Sequence, residues 1–195
     1  MAGGTLFLVV GASGVGKDTL IDSAKAALAG DGHFVFARRT ITRPPDAGGE
    51  DHRAVTAQEF ARLRDAGRFL VAWSAHDLDY GLPIEIAQEL AGGRHVIANG
   101  SRAAIADAVA RVARLVVVEI TAPPHLVARR LATRGRESDA QIAERLARET
   151  PPYPAGVEVV SVANDCDIAT GVVRFVAAIR LHGGPPANAA PITPP

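Results

Sequence analysis

The segment TLFLVVGASGVGKD, residues 5–18, decides the fold of this chain. Its first six residues, 5–10, are apolar or β-branched and predict a buried strand, and the pattern G-x-x-x-x-G-K follows directly at 11–17. Glycines in such a loop let successive backbone N–H groups surround a polyphosphate, and the next helix directs its positive end to the same place. The segment therefore predicts a strand, a phosphate-binding loop and a helix, in that order.

This loop is the candidate site for ATP, with Lys17 supplying a compact charge to the outer phosphates. The expected nucleotide-binding residues are Gly11, Ala12, Ser13, Gly14, Val15, Gly16, Lys17, Asp18 and Thr19. A Ser or Thr hydroxyl ordinarily follows the lysine and binds magnesium, but Asp18 stands there and Thr19 comes next. Both residues are therefore candidates for organising Mg²⁺.

Two alternatives fit the loop less well. A dinucleotide-binding G-x-G-x-x-G would need glycine where Ser13 stands. An ordinary strand–turn–helix connection would not require a lysine at this point, and only two of the 21 cationic residues are lysines, Lys17 and Lys25. The full pattern in its context favours a nucleoside triphosphate site.

The composition is that of one globular domain: 195 residues, 48% hydrophobic and 22% charged. A formal net charge of zero provides no basic field, so we expect no nucleic-acid partner. A single cysteine, Cys166, excludes an internal disulfide framework. With no signal-like or membrane-length apolar stretch, we expect a cytoplasmic protein without a membrane partner. Residues 183–195, rich in Pro, Ala and Gly, predict a disordered tail after a domain at 1–182.

Apolar β-type runs alternate with helical patterns along the chain, which predicts an α/β fold with a mainly parallel central sheet flanked by helices. The predicted strands lie at 5–10, 33–38, 69–74, 95–99, 115–120 and 157–162. The predicted helices lie at 17–29, 57–65, 83–91, 102–112, 125–133, 139–149 and 168–181. Thr56 and Glu59 have the capping-box spacing at the start of the second helix.

Two polar, arginine-rich segments, 39–56 and 134–138, interrupt this pattern. Phosphoryl transfer needs cations around the phosphates, and planar guanidinium groups suit their oxygens. The candidate arginines are Arg39 and Arg43 in the first segment, Arg134 and Arg136 in the second, and Arg145 and Arg148 on the helix after it. A solvated surface position is the ordinary alternative for any one of them. The sequence contains no Ser/His/Asp order, no H-E-x-x-H and no paired Cys/His spacing. An acceptor that is already an anionic phosphate oxygen needs no general base, so the absence of these motifs favours a phosphate acceptor over a hydroxyl acceptor.

Four motifs follow the loop in order: TRPPDAGGEDH (42–52), FLVAWSAHDLDYGLP (69–83), RRLATRGRESDAQIAERL (129–146) and VANDCD (162–167). Together with the loop they resemble the guanylate kinase superfamily over about residues 5–180. The resemblance implies a P-loop kinase with a small acceptor-binding insertion at about 36–92 and a short lid at about 134–148.

Three departures concern the recognition of guanine. The glutamate and the Ser/Thr with which guanylate kinases hydrogen-bond the base are replaced by Val71 and Leu82, and the aspartate of their I-D-x-x-G segment is replaced by Asn99. A site built to hydrogen-bond a base loses orders of magnitude of discrimination without such partners. Guanine recognition is therefore dismantled, while the phosphate loop is kept.

The combination of GKD, TRPxxxGGEDH, DxxYGLP and NGSR is similar to the ribose 1,5-bisphosphate phosphokinase (PhnN) branch of this superfamily. That resemblance implies Mg²⁺-dependent transfer of the ATP γ-phosphoryl group to the C1 phosphate of ribose 1,5-bisphosphate, giving 5-phosphoribosyl 1-diphosphate (PRPP) in phosphonate catabolism. It implies catalytic roles for Lys17, Arg134 and Arg145 and an adenine contact for Asn164. The implied acceptor residues are Arg39, Arg43, Glu50, Asp51, Tyr80 and Arg102.

Two other functions stay open from the sequence. One is a guanylate or other nucleoside monophosphate kinase. The other is a non-catalytic guanylate-kinase-like binding module, which the intact Gly16-Lys17 pair disfavours. The sequence also leaves open whether the protein is a monomer or a homodimer.

Overall fold

The computed structural model describes residues 3–45, 50–134 and 152–183. In chain order the elements are β1 (Leu6–Val10), α1 (Lys17–Ala27), β2 (Phe34–Phe36), β3 (Thr40–Ile41), β4 (Arg53–Ala54), α2 (Ala57–Asp65), β5 (Phe69–Ala75), β6 (Leu78–Pro83), α3 (Ile86–Ala91), β7 (His95–Asn99), a 3-10 turn (Arg102–Ala104), α4 (Ile105–Arg111), β8 (Leu115–Thr121), α5 (Pro124–Arg134), β9 (Glu158–Ala163) and α6 (Ile168–Gly183). The predicted helix at 139–149 lies outside the described residues. Gly183, predicted to begin the tail, instead ends α6, and the rest of the tail is not described.

The central sheet has five strands in the order β2-β7-β1-β8-β9, and all of its pairs are parallel. All five residues of β1 are buried, because parallel sheets are covered on both faces. The predicted α/β fold with a parallel central sheet is confirmed.

Alternate residues of β1 point to opposite faces and build two cores. Phe7 and Val9 pack on one face in a cluster that includes Leu20 of α1 and Phe175 of α6. Leu6, Leu8 and Val10 pack on the other face in a cluster that includes Leu82 of β6 and Ile105 of α4. The phosphate loop leaves β1 between these two layers.

A second sheet, in the order β4-β3-β6-β5, was predicted only in part. Its strands lie within 36–92, the region that the sequence assigns to the acceptor. The prediction of a helix from residue 83 was wrong at its start: Pro83 ends β6 opposite Phe69, and α3 begins at Ile86. The turn between β5 and β6 is formed by His76 and Asp77, whose φ angles are 52° and 59°.

The cap of α2 is formed as predicted, since the backbone N–H of Glu59 donates to Oγ1 of Thr56 at 3.1 Å. At the other end of the chain, α6 finishes beside the start of β1, where Oγ1 of Thr5 donates to the carbonyl oxygen of Gly183 at 3.2 Å. No helix within residues 3–45, 50–134 and 152–183 combines the length and the apolar character that a transmembrane span requires.

Candidate active site

The phosphate loop between β1 and α1 depends on glycine at defined points. Gly11 and Gly16 have φ angles of 146° and 93°. A Cβ atom on Gly11 would lie 2.5 Å from the carbonyl oxygen of Ile120, and one on Gly16 would lie 2.5 Å from Nδ2 of Asn164. Both the backbone conformation and the close approach of neighbours therefore exclude a side chain at these two positions.

The front of the loop carries a positive charge. Nζ of Lys17 donates to the carbonyl oxygens of Gly11 at 2.7 Å and Ala12 at 3.3 Å. Gly16 is the N-cap of α1 and has no side chain to accept hydrogen bonds from the N–H groups of the first helical turn, so these groups can be offered to a ligand. A lysine and a helix N-terminus at the same point favour an anionic ligand.

The back of the loop is held by Asn164 and by Arg130, which the sequence analysis did not single out. Nδ2 of Asn164 donates to the carbonyl oxygen of Val15 at 2.7 Å, and Nη1 of Arg130 donates to the same oxygen at 3.1 Å. Nη2 of Arg130 also donates to the backbone oxygen of Asn164 at 3.1 Å. The paired arginines at the start of the motif at 129–146 are the signal that could have indicated Arg130.

Two cavities flank the loop. The first, here called the Asn164 cavity, has a volume of about 440 Å³ and lies between the loop, α5 and α6. Its lining includes Gly14, Gly16, Thr19, Arg129, Asn164 and Ile168. An adenine contact by Asn164 stays a prediction, which this position allows.

The second, the Trp73 cavity, has a volume of about 360 Å³ and lies between the loop and the second sheet. It brings together Lys17, Asp18, Arg39, Trp73, Tyr80 and Asn99. Asp18 thus faces this cavity, whereas Thr19, the other magnesium candidate, faces the Asn164 cavity.

Arg39 forms part of the wall of the Trp73 cavity and is 8% exposed. Its guanidinium group pairs with the carboxylate of Glu50, with Nε 3.1 Å from Oε2. The guanidinium carbon also lies 5.0 Å from the ring centre of Tyr80, and that ring stacks on Trp73 with centres 5.3 Å apart. Ion pairing and cation–π contact compensate the burial of this charge. Sequence reasoning missed Trp73, although it shares a face of β5 with Val71.

Asn99, at the end of β7, connects the two sides of the Trp73 cavity. Its Nδ2 donates to Oδ1 of Asp18 at 2.7 Å and to Oε2 of Glu50 at 3.2 Å. A continuous set of polar contacts therefore runs from Arg39 through Glu50 and Asn99 to Asp18.

Four of the predicted acceptor residues do not line either cavity: Arg43, Glu50, Asp51 and Arg102. Arg43 packs against His52, with Nη2 3.4 Å from Nδ1 of the ring. Asp51 pairs with Arg38 at the surface. Their roles at the acceptor stay predictions.

Arg102, another of these residues, begins the 3-10 turn after β7. It pairs with Glu119 at 2.5 Å and lies over the ring of Tyr153, with its guanidinium carbon 4.3 Å from the ring centre. Among the lid candidates, Arg134 ends α5 but its side chain is not described, and Arg136, Arg145 and Arg148 lie outside the described residues. Their roles also stay predictions.

The two positions with which guanylate kinases hydrogen-bond the base are apolar and buried here. Val71 and Leu82 are cross-strand partners in the β5–β6 pair, and both are 0% exposed. Their side chains belong to the core and have no hydrogen-bonding group to offer a base. This arrangement agrees with the sequence-based prediction that guanine recognition is lost.

Negative charge gathers on one face of α1. Burial, and next the nearby carboxylate of Asp18, raise the pKa of Asp22 from its ordinary value of 3.8. The charged form of Asp22 is therefore less favourable in the folded protein than in the unfolded chain. The resulting stability penalty develops as the pH rises from 3.8 through the higher pKa of the folded state.

We expect Asp22→Asn to raise the melting temperature at pH 7, and we expect the gain to shrink as the pH is lowered toward 4. Glu85→Gln is the control, because it removes a carboxylate that pairs favourably with Arg68 at 2.8 Å and should give no gain. Thermal melting of both variants between pH 4 and pH 7 checks this. A gain for Asp22→Asn that does not change with pH would contradict the electrostatic explanation.

The curated proteins to which this chain is similar in sequence include ribose 1,5-bisphosphate phosphokinases. No family model matches the chain. The chain is 55% identical over 179 residues to the bifunctional ribose 1,5-bisphosphokinase-thymidine phosphorylase of Cupriavidus necator, covering 92% of this chain and 30% of that protein. It is 48% identical to the ribose 1,5-bisphosphate phosphokinase PhnN of Agrobacterium fabrum, with 85% of both chains covered. The chain thus spans about 30% of the length of its bifunctional relative and most of the length of the shorter one.

Among solved structures, a guanylate kinase from Anaplasma phagocytophilum superposes with a TM-score of 0.69 over 95% of this chain and 89% of that chain. The sequence identity is 16%, so this similarity shows the fold alone. The chain therefore has the guanylate kinase fold, as its sequence motifs predict.

Proposed function

The chain belongs to the ribose 1,5-bisphosphate phosphokinase PhnN family, and from this premise we propose that it transfers the γ-phosphoryl group of ATP to the C1 phosphate of ribose 1,5-bisphosphate. The products are ADP and PRPP. Phosphonate catabolism is the setting that the family resemblance implies for this reaction. The lone, exposed Cys166 supports a reducing, cytoplasmic location.

The observation that carries the proposal is the Trp73 cavity. It joins Lys17 and Asp18, at the start of α1, to Arg39, directly before β3, and to Tyr80 of β6. Val71 and Leu82 do not line it; they form a buried apolar pair farther along β5 and β6. A cavity that places cations beside the loop but offers a base no partner at these two positions suits a phosphorylated sugar better than a nucleotide. The lid and the residues after 134 complete the active site in this proposal.

In the proposed reaction, an oxygen of the C1 phosphate attacks the γ-phosphorus of ATP, and the bond to the bridging oxygen of ADP breaks. That oxygen is already anionic, so no residue has to remove a proton. The work of the protein is positioning and charge stabilisation. Lys17 and the loop N–H groups hold the outer phosphates of ATP, and Arg39 presents its paired guanidinium to the acceptor.

The residues present fit a magnesium ion. Mg²⁺ in such sites takes one or two protein ligands and completes its shell with phosphate oxygens and water. Asp18 provides a carboxylate in the same cavity as Lys17, and Oδ1 of Asn99 is buried without a hydrogen-bond partner in the part of the chain that the structure describes. When bound, Mg²⁺ would neutralise charge on the phosphate oxygens. Because Thr19 faces the other cavity, we propose Asp18 as the ligand.

The proposal predicts that the purified protein forms PRPP from ATP, Mg²⁺ and ribose 1,5-bisphosphate, which phosphorus NMR detects as a new diphosphate. We expect kcat/KM to exceed that for GMP by about 10²-fold or more. Ribose 5-phosphate, which presents a hydroxyl at C1, is the matched control and should not react. A preference for GMP would establish a guanylate kinase instead, and a protein that does not bind ATP would be a non-catalytic module.

A further inference from the structure

Asp18 and Asn99 occupy two positions with a defined role in phosphate-loop enzymes. Such enzymes ordinarily hold Mg²⁺ with a hydroxyl residue directly after the loop lysine and an aspartate from a neighbouring strand. Here Asp18 follows the lysine, and Asn99 ends β7, which pairs with β1 so that Val9 lies opposite Asn99. Compared with those enzymes, this chain has the carboxylate on the helix, at Asp18, and an amide at the strand position, Asn99.

The contacts of Asn99 show why an amide is needed there. Asn99 is 6% exposed, and its NH₂ group donates to two carboxylates, those of Asp18 and Glu50. An Asn side chain has two N–H donors on that nitrogen, so both are used. With the amide turned around, its oxygen would face both carboxylates, so these contacts determine the orientation of the side chain.

We propose that Asn99 is a positioning residue that holds the magnesium ligand Asp18 and, through Glu50, ties it to Arg39 on the acceptor side. Its part in phosphoryl transfer rests on the proposed function. Its part in holding Asp18 does not, because both contacts join groups of the protein itself.

The charges around position 99 make this role specific to asparagine. A carboxylate at position 99 would lie within hydrogen-bond distance of two others, with no proton to share. Two cations line the same cavity, Arg39, which is paired with Glu50, and Lys17 of the phosphate loop, so three carboxylates would face two positive charges. Like charges at this distance strongly disfavour ionisation. We therefore expect the folded protein to tolerate Asn99→Asp only when Asp18→Asn removes the charge of Asp18 at the same time.

The experiment compares Asn99→Asp, Asp18→Asn and the double exchange Asp18→Asn/Asn99→Asp, without any acceptor. Thermal melting of the ligand-free proteins is the first measurement. Isothermal titration of ATP with and without Mg²⁺ is the second. Asn99→Asp should lower the melting temperature by about 5 °C. The double exchange should regain at least half of that loss, the remainder being repulsion from Glu50.

In the titrations, Asp18→Asn should lose most of the gain in ATP affinity that Mg²⁺ provides, and the double exchange should recover part of it. If Asn99 had a purely structural role, the double exchange would not restore the gain in ATP affinity that Mg²⁺ provides. Asn164→Asp is the matched control, because it changes the other buried asparagine beside the loop, which contacts a carbonyl rather than a carboxylate. Asp18→Asn should not rescue it.

The proposal is overturned if Asn99→Asp melts like the parent protein, or if the double exchange recovers neither measurement. If Asn99→Asp accumulates only as unfolded protein, the double exchange is the test: a folded double exchange supports the proposal, and an unfolded one overturns it. Since no sugar phosphate is used, these outcomes hold even if ribose 1,5-bisphosphate is not the acceptor.

Discussion

Replacement of Lys17 by Ala is expected to lower the rate of phosphoryl transfer about 10³-fold, the scale of removing one preorganised charge from a transition state. Nζ of Lys17 is already placed at the loop by the carbonyls of Gly11 and Ala12. Losing these two hydrogen bonds should cost about 1 kcal/mol of stability. Single-turnover conversion of ATP, with circular dichroism to verify folding, separates the two effects.

Lys25 provides the matched control. It is the other lysine of the chain, lies exposed in the last turn of the same helix and carries the same charge. Lys25→Ala should leave the rate within about twofold, because charges this exposed are screened. A Lys17→Ala protein that keeps a tenth of the parent rate would mean that Lys17 does not act on the transferring phosphoryl group.

Arg39→Ala is expected to lower the free energy of unfolding by about 3–5 kcal/mol, which is typical of breaking a buried ion pair. The side chains of Arg39 and Glu50 are 9% and 13% exposed. Without Arg39, the Glu50 carboxylate would stay largely buried with Nδ2 of Asn99 as its donor. Urea unfolding monitored by tryptophan fluorescence measures the loss, since the guanidinium carbon of Arg39 lies 5.7 Å from the ring centre of Trp73.

Arg38 lies next to Arg39 and gives the comparison. It pairs with Asp51 at 2.7 Å, but these side chains are 59% and 70% exposed. Arg38→Ala should therefore cost no more than about 1 kcal/mol. Similar losses for both variants would show that burial does not distinguish the two pairs.

The double change Arg39→Met/Glu50→Leu should recover much of the stability, because it leaves no charge unpaired.

The central sheet was predictable because its strands carry a local signal. The buried run at 5–10 and the runs at 95–99 and 115–120 are mostly apolar, with polar residues at only a few positions such as His95, Asn99 and Glu119, as is typical of strands covered on both faces. The second sheet was predictable only at β5, because β3 and β4 are two residues long and show no periodicity. Pro83, which has the residue type of a helix start, ends a strand because pairing with Phe69 prevails over local preference.

The candidate site likewise has one part that the sequence predicts and one part that it does not. The phosphate loop is a continuous segment, so its sequence predicts its conformation. The acceptor side depends on residues far apart in the chain: Asn99 lies 81 positions from Asp18 and 49 from Glu50. Arg39 has a residue type that predicts exposure, and only the folded arrangement of Glu50, Tyr80 and Trp73 explains its burial.

The contact between Thr5 and Gly183 has a practical consequence for fusion proteins. It places the end of α6 at the entry of β1, whereas the phosphate loop leaves the other end of that strand, roughly 17 Å away. A tag or a second enzyme attached directly after Gly183 starts at the opposite end of β1 from the loop. Attachment at Gly183 is therefore expected to immobilise or couple this protein with its phosphate loop facing outward.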